Sequence, residues 1–343
     1  MNIAVLAGGL STERDVSLSS ASMVLSALKK AGHPSVMVDS FLGLDSLPEN
    51  IADLFTLHDE PHDTRVGTSA PDLACLQASR TGGQGLVGQN VIEVCNAADL
   101  VYMGLHGDAG EDGRMQAFFD ALGIRYTGTG YLGSALAMNK WLTKQLLLKS
   151  GIPTAKAVYI QKGLPFPQDI PFPCVVKPCS GGSSIGVFKA ETLEELQAAA
   201  LEAFALEDTL LAEEYIPGRE FSVGVLGGEA LPVIEIIPDR EFYDYTAKYQ
   251  PGLTKEVCPA DLPEPVATEM QQAALRVFDT LMLDVYARVD FMLDNAGNPY
   301  CLEANTLPGM TPTSLLPQEA AAVGYDYPAL CEKIIALSLE KYR

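Results

Sequence analysis

Positive charge is what this chain has least of. Its 343 residues hold 23 lysines and arginines against 44 aspartates and glutamates, a formal net charge of −21. A surface of that sign repels phosphate backbones, which argues against a nucleic-acid partner. The acids are spread along the chain, so their ordinary meaning is solubility. Positive charges that meet an anionic substrate must then be local. Long apolar runs are also missing. None reaches the roughly 18 residues of a membrane-spanning helix. The opening Met1-Asn2-Ile3-Ala4-Val5-Leu6 enters an apolar strand without a basic leader, which reads as no signal peptide. Seven cysteines with no CxxC pair read as scattered reduced thiols and exclude a disulfide framework or zinc site. The Walker pattern GxxxxGKS/T is absent. Together these point to a cytoplasmic protein without a membrane partner. Its 48% hydrophobic residues are ample for about two domains, or three small ones.

What is present is an α/β pattern. Asn2–Leu6 reads as a buried strand, then Val16 to Leu28 as an amphipathic helix stopped by Gly32, then Ser35–Val38 as a strand. Such an opening implies a parallel sheet. The stretch from Phe41 to Gly88 carries too much Gly, Pro, His, Asp and Thr to place an element. Further on the pattern predicts a strand at 98–104, a helix at 115–122, one long helix at 134–150, and a strand at 174–177. A helix at 193–206 and a strand at 210–216 follow. The remainder reads as strands at 221–226, 230–236, 285–293 and 299–304, with a helix at 264–282 between them. Domain boundaries fall near 128 and 213, giving 1–128, 129–213 and 214–343.

Three motifs bear on chemistry. Gly128-Thr129-Gly130-Tyr131-Leu132-Gly133 matches the dinucleotide pattern, but no acid lies between Asp120 and Asp169 to hold a ribose about 20 residues on. A tight turn is the better reading. The second motif, Lys177 with Pro178-Cys179-Ser180-Gly181-Gly182-Ser183-Ser184-Ile185-Gly186, follows an apolar strand directly. Small residues there expose backbone N–H groups and hydroxyls that can cradle phosphates, and Lys177 adds a fixed charge. The bland alternative is a mobile hairpin tip. The third is a hairpin. If Ala296-Gly297 is a two-residue turn, Asp290 lies opposite Glu303 and Arg288 opposite Asn305. Two carboxylates and an amide on one face, with no His or Cys, favour Mg²⁺ held together with phosphates. A solvated hairpin face is the alternative.

These motifs do not stand alone. Ala7-Gly8-Gly9-Leu10-Ser11-Thr12-Glu13-Arg14-Asp15-Val16-Ser17, His106-Gly107 with Glu111-Asp112-Gly113, the Lys177 loop, Tyr243-Asp244-Tyr245-Thr246-Ala247-Lys248-Tyr249, Arg288-Val289-Asp290 and Glu303-Ala304-Asn305-Thr306-Leu307-Pro308-Gly309-Met310-Thr311 occur in that order. The set resembles the D-alanine–D-alanine ligase family of the ATP-grasp superfamily, over nearly the whole chain. Any one motif is weak; six in order are specific.

The resemblance implies an ATP-grasp fold: three α/β subdomains with ATP between the central and C-terminal ones. It implies ATP-driven ligation of two D-alanines through a D-alanyl phosphate, for peptidoglycan precursors in a bacterial cytoplasm. By resemblance, Lys140 and Lys177 contact ATP phosphates, with Ser180, Gly182 and Ser184 closing over them. Backbone groups of Glu213, Glu214, Tyr215 and Ile216 edge the adenine, and Glu220 holds the ribose. Asp290, Glu303 and Asn305 bind two Mg²⁺ ions, for which Mn²⁺ is an allowed substitute, and a monovalent cation is compatible with such a site. Lys248 meets the transferred phosphate. Arg288 and the Gly309 N–H stabilise the oxyanion. Glu13 holds the ammonium of the first D-alanine and His106 lies near its carboxylate. Ser314 and Leu315 bind the carboxylate of the second. A Glu13–Ser183–Tyr249 network couples the mobile loop to the first-substrate pocket. The family association also implies a homodimer. Tyr249 accompanies D-alanine as second substrate; the alternatives are a D-alanine–D-serine or D-alanine–D-lactate ligase, or a non-catalytic nucleotide-binding protein on the same scaffold. Residues 41–97 read as a surface insertion or part of a dimer contact.

Overall fold

Five consecutive apolar residues, Ile3–Ala7, form β1, and all five are fully buried. That is the pattern of a central parallel strand covered on both faces. In this computed structural model β1 lies between β2 (Ser35–Asp39) and β3 (Leu100–Met103), both parallel to it. The structure describes residues 1–58, 66–67, 71–238 and 254–343. The strand order 2-1-3 places a crevice beyond the carboxyl ends of β1 and β3, where open α/β sheets bind ligands. Two loops emerge there. Residues 8–13 lead into the helix Arg14–Lys30, and residues 104–107 lead into the short helix Asp108–Glu111. Gly8 has a positive φ, and a Cβ on it would meet the Asp39 carboxylate at 2.5 Å, so the first turn needs glycine.

A second, antiparallel sheet holds β4 (Ala157–Gln161), β5 (Cys174–Pro178), β6 (Phe188–Ala190) and β7 (Thr209–Glu214), in the order 4-7-5-6. The helix Leu193–Ala203 covers it with Leu196, Ala199, Ala200 and Ala203. The third sheet contains β8 (Gly218–Leu226), β9 (Glu229–Ala230), β10 (Ile234–Pro238), β11 (Thr254–Val257), β12 (Tyr286–Asp294) and β13 (Pro299–Asn305). Its order is 11-10-8-12-13, with β9 beside β8. The helix Glu264–Thr280 packs Met270, Ala274 and Val277 into its core. The chain then returns to the first sheet. Leu330, Cys331, Ile334 and Ile335 of the helix Tyr327–Glu340 belong to the same apolar core as Ile3, Val24 and Leu28.

Three sequence expectations need correction. The single helix expected at 134–150 is two, Tyr131–Met138 and Lys140–Lys149. Asn139 is extended between them, and its side chain accepts from the Leu142 N–H. An N-cap of this kind is worth about 1 kcal/mol, enough to restart a helix whose composition alone would carry through. The strand expected at 230–236 is broken into β9 and β10, with Pro232 in the gap, where no ladder N–H is available. The hairpin loop is also longer than supposed. Asp294 N–H donates to Asn298 O, so Asn295, Ala296 and Gly297 form a three-residue loop with Gly297 at φ 88°. A bulge between Asp290 and Phe291 then restores the count, and Asp290 still faces Glu303 and Arg288 still faces Asn305. In the unplaced 41–97 region, helices form at Leu73–Ser79 and Val91–Ala97. All seven cysteines are free thiols.

Candidate active site

Two adjoining cavities occupy the junction of the three sheets. The larger, about 660 Å³, is lined by residues including Glu13, His106, Arg288, Gly309, Ser314 and Leu315. The smaller, about 350 Å³, is lined by residues including Lys177, Ser184, Glu214, Tyr215, Ile216 and Met292. The residues they share include Lys140, Gly182, Ser183, Glu220 and Glu303.

At the larger cavity, Glu13 is the residue before the helix Arg14–Lys30 and is only 8% exposed. The Ser183 hydroxyl donates to its carboxylate across 170 residues of sequence. Ser183 and Ser184 both hold positive φ, 53° and 56°, uncommon for non-glycine residues. The loop therefore presents its serines in a strained turn over the first sheet. A Cβ on Gly182 would lie 3.1 Å from Glu13, so the loop also approaches closely there. His106 is buried, which pushes its pKa down and favours the neutral ring. Nδ1 donates to Leu307 O at 2.8 Å. Nε2 accepts from Ser20 Oγ at 3.1 Å, and Ser20 Oγ accepts from the Met310 N–H at 3.3 Å. Both ring nitrogens thus fasten the 307–310 segment, which carries Gly309. Ser314 Oγ accepts from the Thr311 N–H at 3.1 Å, and a Cβ on Gly309 would press it at 2.9 Å.

The side at the smaller cavity is held by ion pairs. Lys140 Nζ donates to Gly181 O at 2.6 Å and lies 3.4 Å from Glu303. Lys177 donates to Glu213 at 2.5 Å. Burial pulls the Lys177 pKa down, but Glu213 and Glu303 outweigh it and the net direction is up. Ser180 directs both its N–H and its hydroxyl to Glu207, at 2.8 and 3.3 Å. Glu214 N–H donates to Lys156 O and Tyr215 N–H to Pro173 O. The Ile216 N–H has no protein acceptor among the described residues. Val175, Met292 and Leu302 give this slot apolar walls. Glu213 departs from the expectation of a backbone hinge group. Its backbone is paired inside the sheet with β4 and β5, and its side chain carries the contacts.

Between the cavities lies the hairpin face. Arg288 donates to both oxygens of Asp290 at 2.9 Å. Ser222 Oγ and Asn305 Nδ2 also donate to them, at 2.8 and 3.0 Å. Glu220 sits on β8 beside Met292 of β12. Lys248 and Tyr249 lie outside the described residues. Sequence reasoning missed four contributors. Glu111 accepts from the Gly107 and Leu307 N–H groups at 2.8 and 3.2 Å, and burial with the nearby Glu13 charge pushes its pKa up to about 8. Ser20 and Ser222 are the hydroxyl partners just described. Lys144, 1% exposed, pairs with Glu213 at 2.7 Å. For Glu111 a signal existed, five residues after His106 in the same motif. For Lys144 the only signal was its spacing of four from Lys140.

Comparison with known proteins agrees with this geometry. Family models described as D-ala D-ala ligase N-terminus and D-ala D-ala ligase C-terminus match residues 2–129 and 149–336. The chain is 42% identical to a D-alanine–D-alanine ligase of Pediococcus pentosaceus, over 98% of this chain and 97% of that one. Against the Lacticaseibacillus casei D-alanine–D-alanine ligase it is 40% identical, over 100% and 97%. It superposes on the crystal structure of the Bacillus anthracis D-alanine–D-alanine ligase complexed with ATP with a TM-score of 0.77. The identity there is 30%, over 99% of this chain and 98% of the other.

Proposed function

The chain belongs to the D-alanine–D-alanine ligase family, and from that premise we propose how its site divides the reaction. The enzyme joins two D-alanines with cleavage of ATP to ADP and phosphate. A carboxylate is a poor electrophile at neutral pH. One of its oxygens attacks the γ-phosphorus, the bond to the β-phosphate oxygen breaks, and ADP leaves a D-alanyl phosphate. The amine of the second D-alanine attacks that carbonyl, the C–O bond to phosphate breaks, and the amine loses a proton.

ATP takes the smaller cavity. The base lies between its apolar walls with the Ile216 N–H free to donate to it, and Glu220 holds the ribose. Lys140 and Lys177 meet the phosphates, with Gly182, Ser183 and Ser184 above them. The Ser180 N–H and hydroxyl reach phosphate only by leaving Glu207. Asp290, Glu303 and Asn305 are the residues to hold Mg²⁺, or Mn²⁺ in its place. The set can offer oxygen ligands from two facing carboxylates and an amide, a donor set that suits Mg²⁺, provided Arg288 and the Asn305 NH₂ turn away from Asp290. When bound, the metal supplies charge neutralisation at the phosphates. Arg288 already neutralises Asp290 in this structure, so its part at the oxyanion with the Gly309 N–H requires it to turn into the larger cavity. Glu13 takes the ammonium of the first D-alanine. His106, saturated by Leu307 and Ser20, acts by holding the Gly309 segment against that substrate. Ser314 and Leu315 receive the second carboxylate. Lys248 and Tyr249 complete the site by resemblance.

The observation that carries this reading is the Ser183–Glu13 hydrogen bond. It joins the phosphate loop to the amino-acid pocket, so closure over ATP and enclosure of D-alanine become one event that shields an acylphosphate from water. The reading brings with it a cytoplasmic homodimer that supplies peptidoglycan precursor synthesis, and three parts bounded near residues 128 and 213. Among the described residues no helix is long and apolar enough to cross a membrane. The test is phosphate release from Mg·ATP with D-alanine alone, then with D-serine or D-lactate added, the product being identified by mass. Release with D-alanine alone and a dipeptide product is expected. Release only with another nucleophile would move the second site to that nucleophile.

A further inference from the structure

Behind the phosphate side lies a charged cluster that the reaction above leaves unexplained. Lys144 is 1% exposed. Its Nζ donates to Thr154 Oγ1 at 2.7 Å and to Ala155 O at 3.3 Å, and it forms an ion pair with Glu213 Oε2 at 2.7 Å without a hydrogen bond. Thr154 Oγ1 donates its own hydrogen to Cys301 O at 2.7 Å, so toward Lys144 it can only accept. The other oxygen of Glu213 accepts from Lys177. One buried carboxylate is therefore shared by two ammoniums, and the cluster carries a surplus of one positive charge. Lys177 lines the smaller cavity and has no other hydrogen-bond acceptor among the described residues. Lys144 is sealed behind it. The surplus meets the cavity at Lys177, where Glu303 also acts on it.

We propose that Lys144 is a positioning residue for ATP: by sharing Glu213 it leaves the charge of Lys177 only partly compensated and available to the phosphates. Without Lys144, Glu213 and Lys177 close into a neutral pair, and the cavity loses its attraction for an anion. The Thr154–Cys301 bond fixes Lys144 to β13, the strand that carries Glu303, so the charge is set where both halves of the nucleotide site meet. This inference rests on the ATP reading above.

The experiment is calorimetric binding of ADP and of adenosine to the full-length enzyme, wild type and Lys144→Met. ADP affinity is expected to fall about 30-fold, the worth of one charge-assisted contact. Adenosine, which has no phosphate, should bind unchanged. Equal weakening of both ligands would mean a merely structural role and would overturn the proposal; so would unchanged ADP binding. A Lys144→Met/Glu213→Gln double variant restores the single surplus charge and removes the buried imbalance. It should bind ADP within about fivefold of wild type, since Lys177 is again unpaired. A double variant as weak as the single one, or, if the single variant does not fold, more than about 30-fold weaker than wild type, contradicts the charge account. Failure of the wild-type enzyme to bind ADP would instead strike the ATP reading itself.

Discussion

The half-buried Glu111 and the buried Glu213 are carboxylates at opposite sides of the site, and their pKa values move in opposite directions. Burial pushes both upward. At Glu213 the charges of Lys144 and Lys177 outweigh burial, and the net direction is down. At Glu111 the next influence is another acid, Glu13, and the pKa reaches about 8 despite the N–H groups of Gly107 and Leu307. The phosphate side is thus built from buried charges, two ammoniums on one carboxylate. The amino-acid side combines backbone donors and the neutral His106 ring with groups of both signs, Glu13 and Arg288 among them. That contrast suits the two ligands: a polyanion needs fixed cations, whereas a zwitterion needs an anion, a cation and shape.

The comparison can be broken at several points. The largest effect is expected at the hairpin face proposed to hold the metal. Glu303→Gln removes a ligand charge and should lower kcat by at least about 10³-fold in a coupled ADP assay. Near-normal turnover would remove Glu303 from the metal set. Next comes Glu213→Gln, which leaves two buried ammoniums without their carboxylate. A loss of about 3–5 kcal/mol in stability is expected from the denaturant midpoint, as for other broken buried pairs. An unchanged midpoint would show that the lysines are not charged in place.

A smaller effect separates the other side. The folded pKa of Glu111, about 8, lies above its ordinary value of 4.5, so the folded state binds more protons between them. Stability from this group is full below pH 4.5 and is lost as pH rises through 8. Glu111→Gln should flatten the fall in Tm between pH 6 and pH 9, an effect on the order of a few kcal/mol at most. An identical fall in both proteins would assign the pH dependence elsewhere.

Much of this was readable before the fold was known, but unevenly. The hairpin face was legible because alternation along β12 and β13 and the pairing of Asp290 with Glu303 are local properties. It survived an error of one residue in the loop only because a bulge cancelled it. The parallel opening was legible from the run Ile3–Ala7 and its glycine turn. The helix break at Asn139 was hidden, since a single cap outweighs the helical composition around it. Lys144 was invisible because a lysine on a helix ordinarily reads as solvated surface; only the fold brings Glu213 and Thr154 against it. The return of Tyr327–Glu340 to the first core, and the meeting of Ser183 with Glu13, join residues 170 or more positions apart. No local pattern encodes such contacts. There the family resemblance, not periodicity, supplied the expectation.

The most direct test of a divided site is a pair of steady-state measurements on Lys177→Met and Glu13→Gln. Lys177→Met leaves Glu213 paired with Lys144, so the fold should hold. It is expected to raise the KM for ATP at least about tenfold while that for the first D-alanine stays within about twofold; Glu13→Gln, which removes the charge but keeps an amide oxygen to accept from Ser183 and so keeps the loop closure, should do the reverse. If either variant shifts both constants together, the two sides do not act as separate binding devices and the account fails.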